Sequence, residues 1–308
     1  MQERFSAMDS LVSVGESRGM TNNSNTQNVL VLGGTGKTGS RVAAQLAERG
    51  VTVRLGSRSA DIPFDWEDEA TWAPALSGMD AVYVAYQPDL AVPTAPPAVT
   101  RFVELAKQSA VQHLVLVSGR GEPEAKACEE IVQQSGLDWT VVCCSWFNQN
   151  FSEGAFLDYI LAGEVALPAG TVGEPFVDVD DIADVAVAAF LDTRHRGQYY
   201  ELTGSRLLTF AEAVAEIGAA LGREIAYIQI PHADFVAGIR EYGVPEAYVE
   251  LLDYLFGTIL DGRNAHLTDG VQRALGRAPR DFADFSSLTS AAWRVGSLIH
   301  GSSAMLRR

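Results

Sequence analysis

The chain has 308 residues, of which 47% are hydrophobic and 20% charged. That balance supplies a large apolar core and excludes a disordered or fibrous protein. A net charge of −16 opposes nucleic acid and anionic membrane surfaces, so neither is an expected partner.

Residues 1–27 are polar and rich in Gly, Ser and Asn, and they lack the apolar stretch of a signal peptide. They read as a disordered N-terminal extension, with Met20 a candidate natural start. No run of about 18 apolar residues is present for a membrane span.

Asn28 to Leu32 is a short apolar run that stops at Gly33-Gly34-Thr35-Gly36-Lys37-Thr38-Gly39. A helical pattern follows at once, with Val42 and Leu46, Ala43 and Ala47 on one face. This is strand, tight turn and helix, and Gly34, Gly36 and Gly39 fit the dinucleotide fingerprint. Glycines let the backbone approach a ligand, and the helix N-terminus favours an anion such as a pyrophosphate. A triphosphate-binding P-loop is excluded, because it needs glycine where the strand residue Val31 stands.

Val51 to Leu55 is the next strand, followed by Gly56-Ser57-Arg58-Ser59. An NAD-binding fold places an acid at this point for the ribose 2′-hydroxyl. Here no acid appears before Asp61, and Arg58 can pair with a 2′-phosphate, which favours NADP(H). Asp65-Trp66 and Trp72 lie in the following loop, where adenine would sit and an indole could stack.

Strands are read at 81–85, 113–118 and 139–144, all nearly continuous apolar runs, as expected of strands buried on both faces. Tyr86-Gln87-Pro88 ends the first of these at the cofactor edge, and Ser118-Gly119 ends the second, facing the cleft. Lys126 and Glu130 are i,i+4 neighbours on the next helix. Their plain reading is a solvated ion pair; the sharper one sets Lys126 against the nicotinamide ribose. Position 122 is Glu122, so the tyrosine of a YxxxK proton donor is missing. Cys128, Cys143 and Cys144 lack metal spacing and read as core thiols in a reducing, cytoplasmic setting. The five histidines are scattered, so no metal site is expected.

Ser145 and the run Trp146-Phe147-Asn148-Gln149-Asn150-Phe151 follow the 139–144 strand on the ligand side. An aromatic wall with amides suits a flat, apolar substrate carrying a few polar groups. Core packing with capping amides is the alternative. Asp178-Val-Asp180-Asp181 caps a helix, a strand follows at 198–202, Thr209 caps a helix at 210–221, and 227–230 is a last strand. Beyond Pro231 the pattern is largely helical.

These pieces together resemble the NmrA-like branch of the atypical short-chain dehydrogenase/reductase family. The matching segments are 33–39, Ser57-Arg58, Lys126 with Glu130 ahead of Ser135-Gly136-Leu137, 146–151 and 176–183. The resemblance spans about residues 28–285. Phe64-Asp65-Trp66 with Thr71-Trp72 points to the ergot-alkaloid reductase subgroup, which includes agroclavine dehydrogenase and festuclavine synthase. The resemblance implies NADPH-dependent reduction of iminium bonds; the wider branch also holds quinone reductases and proteins that bind NADP(H) only to sense redox state. Many relatives carry Arg-Pro where this chain has Cys144-Ser145, which bears on the pocket entrance.

The expectation is therefore an α/β protein: a Rossmann-like doubly wound parallel sheet with a smaller, mostly helical C-terminal part. Residues 28–150 form the NADP-binding core and 151–308 a mixed substrate-binding part, with strands returning to the core near 176–202. The expected activity is hydride transfer from NADPH to an aromatic or polycyclic small molecule bearing an iminium, enone or quinone-like group, in specialised metabolism. A redox-sensing regulator and an isomerase or epimerase are the alternatives, and a homodimer stays open. Cofactor contacts are expected from Gly33, Thr35, Gly36, Lys37, Thr38, Gly39, Ser57, Arg58, Asp65, Tyr86, Gln87, Ser118, Gly119, Lys126, Ser145 and Phe147. Lys126 and Ser118 are the expected catalytic residues, and Trp146, Phe147, Asn148 and Phe151 the substrate wall.

Overall fold

The structure is a computed structural model that describes residues 27–154 and 156–305. The expectation of disorder at 1–27 falls, but for Gln27, outside the described residues. Strand β1 (Asn28–Leu32) is followed by helix α1 (Lys37–Glu48), β2 (Thr52–Gly56), α2 (Trp72–Leu76), β3 (Ala81–Val84), α3 (Ala95–Gln108), β4 (His113–Gly119), α4 (Pro123–Gln133) and β5 (Asp138–Cys144). Then come α5 (Leu157–Ala162), β6 (Glu164–Leu167), α6 (Val179–Leu191), β7 (Gln198–Leu202), α7 (Phe210–Leu221) and β8 (Ala226–Gln229). The chain ends in α8 (His232–Glu241), α9 (Glu246–Tyr254), α10 (Gly270–Leu275) and α11 (Phe282–Met305).

Six strands form a parallel sheet in the order β2-β1-β3-β4-β5-β7. Because successive side chains of a strand point to opposite faces, β1 feeds two cores at once. Val29 and Val31 pack with Val42, Leu46, Ile182 and Val185 on the α1/α6 face. Leu30 and Leu32 pack with Trp72, Val99, Phe102 and Cys128 on the α2/α3/α4 face. All of these are shielded from water, at about 1.5–3 kcal/mol for each large aliphatic or aromatic side chain. The expected doubly wound α/β sheet is the architecture observed. Its three cysteines are buried free thiols.

The chain leaves β1 toward β2, then returns past β1 to β3. The switch in direction between β1 and β3 opens a crevice at their carboxyl ends, where such sheets bind ligands. The segment after β5 departs from this alternation. A third core gathers Phe151, Phe156, Phe176, Phe210, Phe256 and Phe282 around the two-stranded β6–β8 sheet and helices α5, α7, α8 and α11. Helix α6 and strand β7 belong to the main sheet layer, where β7 pairs with β5.

Polar groups fix the joints. Asp178 caps α6 through the Asp180 amide, and Thr209 with Glu212 forms the reciprocal capping box of α7. Asp181, fully buried, accepts the Arg280 amide at 2.7 Å and Arg277 Nη2 at 2.7 Å, and pairs with the Arg280 guanidinium. That network ties the segment before α11 to α6.

Glu174 is 1% exposed, and neither carboxyl oxygen has a hydrogen-bond partner among the described residues. Burial pushes its carboxyl up to about 7, against the opposing pull of Arg120. The folded state thus binds this proton more tightly than the unfolded chain, so stability falls as pH rises from the ordinary carboxyl range toward 7. Glu174→Gln should flatten that slope and gain roughly 3 kcal/mol over the wild type above neutrality. Urea denaturation at a series of pH values reads this directly, and a parallel slope in the variant would count against it.

Candidate active site

One cavity of about 640 Å3 runs along the carboxyl edge of the sheet. Its first section is the glycine-rich turn after β1, lined by Gly33, Thr35, Gly36, Lys37 and Thr38. Gly33 has φ +64°, a left-handed value that favours glycine, and the Gly36 amide donates back to its carbonyl at 2.8 Å. A Cβ on Gly39 would lie 2.3 Å from that same carbonyl, so no other residue lets α1 start this close to the turn. The α1 N-terminus carries no side-chain cap. Its first amides have no intrahelical acceptors and point at the cavity, as an anion site requires. Lys37, half-buried, lines the same section; burial lowers its ammonium pKa, and Glu153 opposes the shift. Arg41 pins this turn by pairing with Glu153 at 2.6 Å and Asp180 at 2.7 Å. A glycine cradle, uncapped amides and one lysine fit the pyrophosphate of a dinucleotide.

The middle section follows the ends of β3, β4 and β5, with Tyr86, Gln87, Ser118, Gly119, Ser145 and Phe147 on its walls. The far section is apolar and comes from distant parts of the chain: Trp146, Phe156, Tyr248, Leu252, Leu255 and Ile259. Leu255–Ile259 is a π-helical turn that extends α9, and such turns are frequent at functional sites. Trp146 is braced by Phe156, Phe210 and Phe256 at ring separations of 6.3, 5.3 and 5.2 Å. Three acids line the cavity: Glu153, which pairs with Arg41 near the glycine turn, and Asp89 and Glu122 past the ends of β3 and β4.

Several expected site residues stand elsewhere. Lys126 is exposed and does not line the cavity. The buried face of α4 is set by Ala125, Cys128, Glu129 and Val132, and Lys126 falls to the side of that face, in solvent. Ser118 borders the cavity, but its hydroxyl oxygen is sealed from solvent on the side facing α4. There it joins Cys143 and Tyr199 around Glu129, whose carboxyl is raised by burial against the pull of these three groups. Neither residue offers a reactive group to the cavity.

Asn148 and Phe151 are both fully buried and lie off the cavity. Residues 148–151 form a 3₁₀ turn, in which positions three apart share a side; that side is the core. Asn148 faces Asp178, and Phe151 centres the third core. Asn150, on the other side of the turn, lines the cavity. Trp72 is 1% exposed and donates to the Asp65 carbonyl at 2.7 Å, so it is a core residue and no stacking platform. Trp66 donates to the Ala85 carbonyl at 2.9 Å and packs on Tyr86. Asp65 accepts the Glu67 amide at 3.1 Å within its own turn and is off the cavity. Ser57 and Arg58 lie just past the end of β2, off the cavity proper; Arg58 is exposed with no ion pair among the described residues. Ser145 lines the cavity, but its hydroxyl accepts from Arg120 Nη1 at 3.0 Å. Asp89, Glu122 and the α9 residues carry no motif and were not foreseen as site residues.

The geometry defines a dinucleotide-binding site that opens into a shaped apolar pocket, and the chain belongs to the NAD(P)H-binding family, whose model matches residues 33–193. It is an NAD(P)H-dependent oxidoreductase. The oxidoreductase YesF of Bacillus subtilis (strain 168) is 30% identical over 277 residues, covering 86% of this chain and 96% of YesF. Agroclavine dehydrogenase of Claviceps fusiformis is 30% identical over 283 residues, covering 86% and 98%. The NADP complex of NmrA, a negative transcriptional regulator, shares the fold with a TM-score of 0.65 at 15% identity, covering 90% and 98%. The resemblance to the agroclavine and festuclavine enzymes therefore holds, and that to NmrA holds for the fold. Among the described residues no helix is long and apolar enough to cross a membrane.

Gly39→Ala should lower NADPH affinity at least about tenfold, because the added methyl must displace the turn that holds the phosphates. Gly238→Ala, in α8 where a Cβ meets nothing within 4 Å, is the matched control and should bind NADPH as the wild type does. Fluorescence titration of the bound nicotinamide measures both, and equal affinities for the two variants would refute the cradle.

Proposed function

We propose that this chain is an NADPH-preferring reductase of aromatic or polycyclic small molecules bearing an iminium, enone or quinone-like group, and that it serves specialised metabolism. The observation that carries the reading is the continuity of one cavity from the glycine turn to the aromatic and aliphatic wall. A protein that only senses its cofactor has no need of a braced apolar pocket beyond the nicotinamide end. Agroclavine dehydrogenase, similar over almost its whole length, lends the substrate class its support.

When bound, the cofactor supplies the hydride. This chain supplies position. Gly33 to Gly39 hold the pyrophosphate, and Lys37 adds positive charge there. Arg58, exposed just past the end of β2, holds the 2′-phosphate through its planar fork of donors. Tyr86, Gln87, Gly119 and Phe147 border the nicotinamide ribose and ring. Trp146, Phe156, Leu252, Leu255 and Ile259 exclude water and hold a flat substrate against the ring. Asn150 offers that substrate one amide.

Wild type should bind NADPH much more tightly than NADH, and Arg58→Ala should erase about 1.5–3 kcal/mol of that preference, or roughly ten- to a hundredfold. Paired titrations with the two cofactors check it; equal affinities in the wild type would remove Arg58 from the site. Steady-state oxidation of NADPH against an iminium, enone and quinone panel then tests the reductase reading. No turnover of any acceptor at high enzyme concentration would defeat it.

A further inference from the structure

Glu122 occupies the N-cap position of α4 without capping it. Its carboxyl instead folds over the end of β4, where a Cβ on Gly119 would lie 2.3 Å from Oε2. The residue lines the cavity and is 9% exposed; its Oε2 is sealed from solvent with no hydrogen-bond partner among the described residues, which leaves Oε1 as the oxygen open to the cavity. Asp89 faces the same cavity from the loop after β3, half-buried, with Oδ1 accepting the Ala91 amide at 3.0 Å.

Among the described residues neither carboxyl has an ion-pair partner. The Arg120 guanidinium is taken up by Glu201, Ser145, Asn264 and His266. Arg263 is committed to Asp261 and the Gly121 carbonyl. The other titratable neighbours are Glu124 and Glu129 on α4, and Tyr254 of α9, whose phenol donates to Glu124 at 3.2 Å. Two carboxyls on one cavity wall, one buried and one half-buried, with the nearby guanidinium groups committed to other partners, cannot both ionise at modest cost. Burial, then Asp89, Glu124 and Glu129, push the Glu122 carboxyl well above the usual range; burial also raises Asp89.

We propose that Glu122 is the proton donor of the reduction, with Asp89 as its charge partner, an assignment that rests on the reductase reading above. For an enone or quinone the acceptor carbon takes the hydride and the carbonyl π pair moves to oxygen. The Glu122 O–H bond then breaks and the new O–H bond forms on the acceptor. Oxidised cofactor and reduced acceptor leave, and solvent at the cavity mouth returns the proton to Glu122. An iminium takes the hydride alone and does not call on Glu122.

The test compares wild type and Glu122→Gln by infrared difference spectroscopy at neutral pH and by turnover. The wild type should show a protonated-carboxyl C=O band that the variant loses, with NADPH affinity unchanged within about twofold as proof of an intact fold and cofactor site. Against a neutral enone or quinone, kcat should fall about a hundredfold, at least tenfold more than against a preformed iminium. The wild-type kcat/KM should decline as pH rises through the Glu122 titration, and the variant should lack that limb. Absence of the band overturns the proposal, and so does an equal loss on both acceptors, which would mark a positioning residue. Wild type inert to every acceptor brings down the reductase reading itself, and the donor role with it.

Discussion

Arg120 leaves the end of β4 beside the cavity and is 4% exposed, yet all three of its guanidinium nitrogens are engaged. Nε meets Glu201 at 2.6 Å, Nη1 meets Ser145 at 3.0 Å and the Asn264 carbonyl at 3.1 Å, and Nη2 meets His266 at 2.9 Å. Asn264 returns a bond from its amide to the Arg120 carbonyl at 3.1 Å. One side chain thus joins the ends of β4, β5 and β7 to the segment that follows α9 and its π-helical turn. Withdrawing a guanidinium from water costs several kcal/mol, and here the ion pair and three further polar contacts offset it. The apolar far wall of the cavity hangs on this junction. The junction acts together with Phe256 on Trp146 and Tyr254 on Glu124 to set Leu255 and Ile259 against the sheet edge.

The first half of the chain was legible because its signals are local. Strands buried on both faces read as unbroken apolar runs, and 81–84, 113–119 and 138–144 lie within a residue or so of where periodicity puts them. The glycine turn carries its own conformational requirement at Gly33 and Gly39. The caps at Asp178 and Thr209 were equally visible, since each needs only a side chain and an amide two or three residues on.

What escaped reading depends on orientation within an element or on contacts distant in sequence. A run such as Trp146 to Phe151 announces a pocket wall, but the 3₁₀ turn decides which members face it, and it turns Asn148 and Phe151 inward while Asn150 looks out. Lys126 lost its expected place to one residue of helical phase, since Ala125 and Cys128 take the buried face. Trp72 looked like a stacking platform and proved to be core, because Phe64, Trp66 and Phe102 surround it. Tyr248, Leu252, Leu255 and Ile259 reach the cavity from more than a hundred residues beyond Trp146. An apolar residue on an amphipathic helix gives no sign of which cavity it closes.

The charge layout gives the cavity a direction. The protein as a whole is strongly acidic, with a formal charge of −16, and a bare anion is repelled at long range. Locally the sign reverses at the glycine turn, where uncapped helix amides and Lys37 point inward. Asp89 and Glu122 stand further along, past the ends of β3 and β4. The anion site is thus built into the start of α1, and the acids of the cavity are carried past the ends of β3 and β4.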